Sequence, residues 1–216
     1  MHADSEIRIT ATRLTGADDD GFARVYEQSF PPSERDDTRS LMASIARGER
    51  LCFAASESGE LIGLAVVLPL TTAPVALLEY LAVDAPCRNR GIGSRLLRHL
   101  SKALPGHAAR LQGILLEVEP TETEDQGERG DSLRRIAMYE RNGARVVDCA
   151  PRYRAPDLST EGHTLHYTLM WLPLQGGPGI ARGALLHDAV RAVLTEGYGL
   201  DPSNGLVEDV VDELAC

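Results

Sequence analysis

Two kinds of residue in this chain are placed to do chemistry. The first is the segment CRNRGIGSRLL (87–97), which sets Gly91 and Gly93 among Arg88, Arg90 and Arg95, directly after the apolar run LLEYLAVDAP and where a helix is expected to open. A dinucleotide-binding turn asks for a third glycine where Leu96 stands, and a P-loop asks for a lysine followed by Ser or Thr, which is missing. Two readings stay open: a cradle that holds an anion by backbone N–H groups at a helix N-terminus, or a plain strand-to-helix connection. The second kind is acidic. Glu117 and Glu119 in ILLEVEP and Glu79 in ALLEYLAV interrupt strongly apolar runs, where a carboxylate needs a purpose or a partner. By strand alternation Glu117 and Glu119 share a face.

The elements that must position these residues are readable from periodicity. EIRITATRL alternates as a half-buried strand, and GFARVYEQSF then places Phe22, Val25, Tyr26 and Phe30 on one helical face. Pro31 and Pro32 end that helix, Ser33 is placed to cap the next, and Gly48 to stop it. LCFAAS and LIGLAVVLPL form a hairpin and APVALLEYLAV a third strand; a helix follows from about Gly91 to Leu104, halted by Pro105-Gly106. LQGILLEVEP suits a strand in mid-sheet, TETEDQGERG a surface loop, and SLRRIAMYERN a helix capped by Asp131 and closed at Gly143. ARVVDCA and HTLHYTLMWLPL supply two last strands. The predicted order is β-α-α-β-β-β-α-β-α-β-β, followed after QGGPG by two amphipathic pieces, ALLHDAVRAVLTEG and LVEDVVDEL.

Composition narrows the function. The chain has 216 residues and a net charge of −10, which disfavours a nucleic-acid backbone or an anionic membrane as partner and favours a cationic substrate. No apolar run reaches the ~18 residues of a membrane span, and the N-terminus has no signal-peptide pattern, so a cytoplasmic location is expected. The four cysteines, Cys52, Cys87, Cys149 and Cys216, lie far apart and are expected to be reduced thiols. His163 and His166 point to opposite faces of an extended segment, so no metal site is expected.

The stretch YLAVDAPCRNRGIGSRLLRHL resembles the acetyl-CoA-binding segment of the GCN5-related N-acetyltransferase (GNAT) family, whose signature Arg88, Gly91 and Gly93 match. The element order over residues 6 to 173 agrees. The resemblance implies an α/β fold with a GNAT-like mixed, mostly antiparallel central sheet flanked by helices, spanning 1–174, with a helical C-terminal extension over 175–216. It implies that the backbone of Arg88, Asn89, Arg90, Gly91, Ile92, Gly93 and Ser94 holds the pyrophosphate of acetyl-CoA. The fourth strand at Leu81, Ala82 and Val83 would pair with the pantetheine arm.

In that family Tyr139 matches a tyrosine that protonates the departing thiolate, and Glu117 a fifth-strand glutamate that serves as base. Glu79 and then Glu119 follow Glu117 as candidates, with a water relay as a further route. Glu34 and Arg35, between the first two helices, Glu119 at the end of the fifth strand and Tyr153 in PRYRAP are candidate acceptor-binding residues; Ser33 and Glu34 serve equally well to start a helix. The expected activity is N-acetylation of a primary amine, on a small molecule or else on a protein lysine or N-terminus. A non-catalytic acyl-CoA sensor or scaffold is the reading of another class. The extension is expected to act as a lid, as a packing element or in a homodimer, because its apolar faces must be buried somewhere.

Overall fold

The computed structural model describes residues 6–14, 19–107, 110–119 and 126–215. The chain divides into two compact units, Met1–Leu68 with Glu79–Ala103, and Pro69–Leu78 with Leu104–Cys216. Strand order in the main sheet is β1 (8–12), β2 (51–57), β3 (60–69), β4 (75–83), β5 (113–118), β9 (168–173) and β6 (145–146).

In the first unit β1 (Arg8–Thr12) pairs antiparallel with β2 (Leu51–Glu57), which pairs antiparallel with β3 (Glu60–Pro69). α1 (Asp19–Ser29) and α2 (Thr38–Arg47) bury Phe22, Val25, Tyr26, Leu41 and Ile45 in one core with Leu64, Val66 and Tyr80. α2 starts later than expected. Pro32–Glu34 form a short 3-10 turn, and Asp37, not Ser33, caps the helix by accepting the Ser40 N–H at 2.9 Å. Gly48 ends it in the left-handed conformation, as expected.

β4 (Val75–Val83) runs through both units, and α3 (Ile92–His107) follows it. α3 passes through Pro105 instead of stopping there. The proline has no N–H to give Ser101 O, and the helix ends at His107, two residues on.

In the second unit β4 pairs in parallel with β5 (Gly113–Val118) from Val75↔Gly113 to Leu78↔Leu116, and β5 pairs antiparallel with β9 (Thr168–Pro173). β6 (Arg145–Val146) closes the edge against β9. β7 (Arg154–Pro156) and β8 (Thr164–His166) form a separate ribbon, so the two expected final strands become four short ones. α4 (Gln126–Arg141) begins ahead of Asp131, which lies inside the helix and pairs with Arg134 one turn on. Part of the expected surface loop is therefore helix, and 121–125 lie outside the described residues.

α5 (Gly183–Ala192) continues into a π-helical turn, Val193–Gly197, and α6 (Gly205–Asp212) follows. Their apolar faces, including Leu186, Val190, Val207 and Val210, are buried within the chain. Cys149 is disulfide-bonded, while Cys52 and Cys87 are thiols, which corrects the expectation of reduced thiols throughout. The fold folds the extension back on Cys149, whose carbonyl accepts the Ala215 N–H at 2.8 Å. Cys216 lies outside the described residues. No helix among those described is long and apolar enough to cross a membrane.

Candidate active site

The glycine turn is built to expose backbone donors. After β4 the chain makes a 3-10 turn at Ala85–Cys87, then Asn89 and Gly91 take left-handed φ values of 63° and 75°. Two residues with positive φ in three reverse the chain tightly. At the start of α3 the Arg95 N–H donates to Gly91 O at 3.0 Å, tying the first turn of the helix to the glycine before it.

The arginine side chains of the turn act as struts. Arg88 Nε donates to Val83 O at 3.2 Å, Arg90 forks onto Glu57 at 2.7 and 2.9 Å, and Arg95 donates to Ile7 O at 2.8 Å. These side chains are therefore engaged within the protein, and the Arg88 backbone N–H donates to Ala85 O at 3.3 Å. A Cβ at Gly91 would meet nothing within 4 Å, so it is the left-handed backbone and not crowding that favours glycine here. Gly63 on β3 lets this architecture close up: a Cβ there would stand 3.0 Å from Ala82 O and 3.2 Å from Ile92 Cγ2.

Gly91→Val is expected to weaken acetyl-CoA binding about tenfold or more, because holding a β-branched residue at positive φ costs roughly 1–2 kcal/mol. Calorimetric titration with acetyl-CoA reads this, and unchanged affinity in a folded variant refutes the cradle.

The three glutamates have different fates. Glu79 is nearly buried and engaged by a bidentate pair with Arg50, at 2.7 and 2.9 Å, with Asp36 3.7 Å from the same guanidinium. Glu119 pairs with Arg135 on α4 at 2.5 Å. Glu117 has no ion pair among the described residues. It accepts the Tyr153 hydroxyl on Oε1 at 2.5 Å and the Tyr198 hydroxyl on Oε2 at 3.1 Å. Burial pushes its pKa up to about 7, with both phenols pulling the other way. It remains partly exposed between buried Leu116 and Val118.

Tyr139 is buried on α4; burial pushes its pKa up to about 12, Arg135 lowers it and Glu119 raises it. Its phenol therefore stays protonated at neutral pH and can donate. Tyr153, expected at an acceptor rim, is instead buried against Glu117. Glu34 sits in the 3-10 turn, and Arg35 approaches Glu27 at 3.7 Å while its Nε is buried without a partner among the described residues.

Two residues of note escaped the sequence. Asp36 is partly exposed; burial raises its pKa, its carbonyl accepts from Tyr26 at 3.3 Å and its N–H donates to Tyr80 at 3.1 Å. Tyr198 comes from the extension, where only its isolation between Gly197 and Gly199 set it apart.

The sequence profile of the Acetyltransferase (GNAT) family matches residues 20–144. The chain belongs to the GNAT acetyltransferase family. It is an N-acetyltransferase, and acetyl-CoA is its cosubstrate.

Solved structures show the same fold. A protein from Bacteroides thetaiotaomicron assigned to the GNAT acetyltransferases is 23% identical with a TM-score of 0.68, over 90% of this chain and 99% of that one. A ribosomal-protein alanine N-acetyltransferase from Escherichia coli is 20% identical with a TM-score of 0.55, over 82% and 100%. An aminoglycoside 6'-N-acetyltransferase complexed with coenzyme A is 19% identical with a TM-score of 0.57, over 82% and 99%. No curated protein sequence matches the chain.

Proposed function

We propose that this protein acetylates a primary amine on a small molecule, with Glu117 as general base and Tyr139 as general acid. The observation that carries the reading is Glu117: a carboxylate on the fifth strand, without a cationic partner among the described residues, with its pKa raised by burial to about 7. A base poised near the working pH is half available and still strong enough to take a proton from an ammonium group. Glu79 and Glu119 are less suited, since each is held by an arginine.

Acetyl-CoA supplies the activated thioester, held by the backbone donors of the glycine turn. Glu117 deprotonates the acceptor, directly or through one water, and the Tyr139 hydroxyl gives its proton to the leaving sulfur. A cationic acceptor suits a chain of net charge −10. Small molecules and protein amines both occur among acceptors named for structural relatives, an aminoglycoside for one and a ribosomal-protein alanine for another.

A panel of spermidine, kanamycin, a lysine peptide and a peptide with N-terminal alanine, assayed for released CoA thiol, tests the reading. Turnover confined to the small amines supports it; turnover of the peptides moves the assignment to protein amines, and no thiol release with any amine points to the sensor or scaffold. Tyr139→Phe is expected to lower kcat roughly 10²-fold with acetyl-CoA affinity unchanged. Equal turnover in that variant removes Tyr139 from the mechanism.

A further inference from the structure

We propose that the C-terminal extension supplies a positioning residue to the reaction: Tyr198, delivered by the π-helical turn and clamped through Glu196, orients the Glu117 carboxylate for proton transfer. This rests on the reading of Glu117 as base.

The path from sequence to contact runs through the unusual turn. α5 gives way to the π-helical turn Val193–Gly197, whose ring is closed by the Tyr198 N–H on Val193 O at 3.1 Å. A π turn inserts one extra residue, which rotates whatever follows by about 100° around the helix axis relative to an uninterrupted α-helix. Such turns are rare inside α-helices and recur at functional sites, so its presence calls for a compensating gain. Here the gain is placement. The turn carries Glu196 and sends Tyr198 to a strand 81 residues earlier in the chain.

Glu196 fixes the turn in place. Its Oε2 accepts from Thr71 N at 2.7 Å and Thr71 Oγ1 at 2.8 Å, and its Oε1 from Thr72 N at 2.9 Å and Thr72 Oγ1 at 2.5 Å. Burial of an apolar helix face does not require such a clamp, since that attraction is non-directional. Four convergent donors on one carboxylate instead specify position and angle. The other phenol is tied to the extension too. Arg154, next to Tyr153 in the chain, pairs with Glu213 at 2.7 Å and lies 4.0 Å from Asp209.

The two hydroxyls hold different oxygens of Glu117, so together they fix rotation of the carboxylate about its own axis. Each oxygen keeps a second lone pair for the incoming proton. The titratable groups around Glu117 are few. Tyr153 and Tyr198 touch it, and Tyr167 acts electrostatically on both phenols. Two residues along the strand Glu119 is paired with Arg135, and Tyr139 on α4 feels that pair. The phenols both stabilise the charged form of Glu117, so removing one must raise its pKa.

Tyr198→Phe keeps the ring and deletes the hydroxyl. With the best amine of the panel, kcat is expected to fall several-fold with the acetyl-CoA KM unchanged. The acidic limb of the kcat/KM pH profile is expected to move up by about one pH unit. Carbon-13 NMR titration of the Glu117 carboxyl, assigned by its loss in Glu117→Gln, should show the same upward move without any acceptor present. A uniform loss at every pH with the limb in place, or wild-type behaviour, overturns the positioning role.

The two readings fail separately. If Glu117→Gln keeps the acidic limb, the base assignment is wrong and this proposal goes with it. If Glu117→Gln abolishes the limb while Tyr198→Phe leaves it unmoved, the base stands and only the role of Tyr198 falls. Should Tyr198→Phe not fold, Glu196→Gln, which loosens the clamp from outside, must move the Glu117 titration in the same direction.

Discussion

Glu117→Gln is expected to lower kcat by about 10³-fold and to abolish the acidic limb of the pH profile, leaving whatever rate water alone supports as a base. In the wild type the active form is the carboxylate, so activity should rise as pH rises through about 7. The same substitution should act oppositely on stability. The folded-state pKa of Glu117 lies above that of a glutamate in the unfolded chain, so between those two values the folded protein holds the extra proton. Stability contributed by this site is therefore lost as pH rises through about 7, when burial penalises the charge. A neutral glutamine escapes that penalty. At pH 8 the variant should melt higher than wild type, and the difference should shrink as pH falls below the ordinary glutamate range, where the carboxyl is protonated in both the folded and the unfolded chain. A variant that is slow but gains nothing at pH 8 would show that burial is not what sets this carboxylate.

Gly113→Ala is expected to be the most damaging single methyl in the strand that carries Glu117. A Cβ there would stand 2.1 Å from Trp171 Cζ2 and 2.3 Å from Cη2. The register explains the crowding: Leu115 lies opposite Trp171 and Gly113 opposite Pro173, so the indole leans diagonally over the glycine on the same face. The ring has nowhere to go, being fully buried with Nε1 donating to Pro178 O at 2.9 Å. Overpacking of this kind costs about 3 kcal/mol, equivalent to a fall in Tm of roughly 6–12 °C in a chain of this size. Thermal denaturation checks the value. Trp171→Leu, itself destabilising, should make the added methyl nearly neutral, so a double-mutant cycle should return a large coupling; additive losses would place the strain elsewhere.

The glycine turn was legible from sequence because its geometry is local: the positive-φ reversal falls on Asn89 and Gly91, inside the segment that the spacing singles out. Glu117 and Glu79 were legible as oddities, charges within apolar strands, but not as different kinds of oddity. That difference lies in Arg50, on another segment, which takes up Glu79, and in two phenols that touch Glu117. Tyr153 was noticed for its composition and placed on the wrong surface. Tyr198 left almost no trace: helical periodicity ends before it, and nothing in a 3.6-residue pattern announces a π turn. The start of α4 was missed for a related reason, since Gly127 and Gly130 within polar sequence read as loop although the helix runs through them.

The clamp between Glu196 and the threonines spans 125 and 124 positions of chain. A ribosome makes Thr71, Thr72 and Glu117 long before Glu196 and Tyr198 exist. During synthesis, therefore, the carboxylate must wait for its second phenol until residue 198 has emerged. The whole segment that identifies the family, 20–144, is by then already made. A product broken off between the two would carry the family's signature without the hydroxyl that holds Glu117 Oε2.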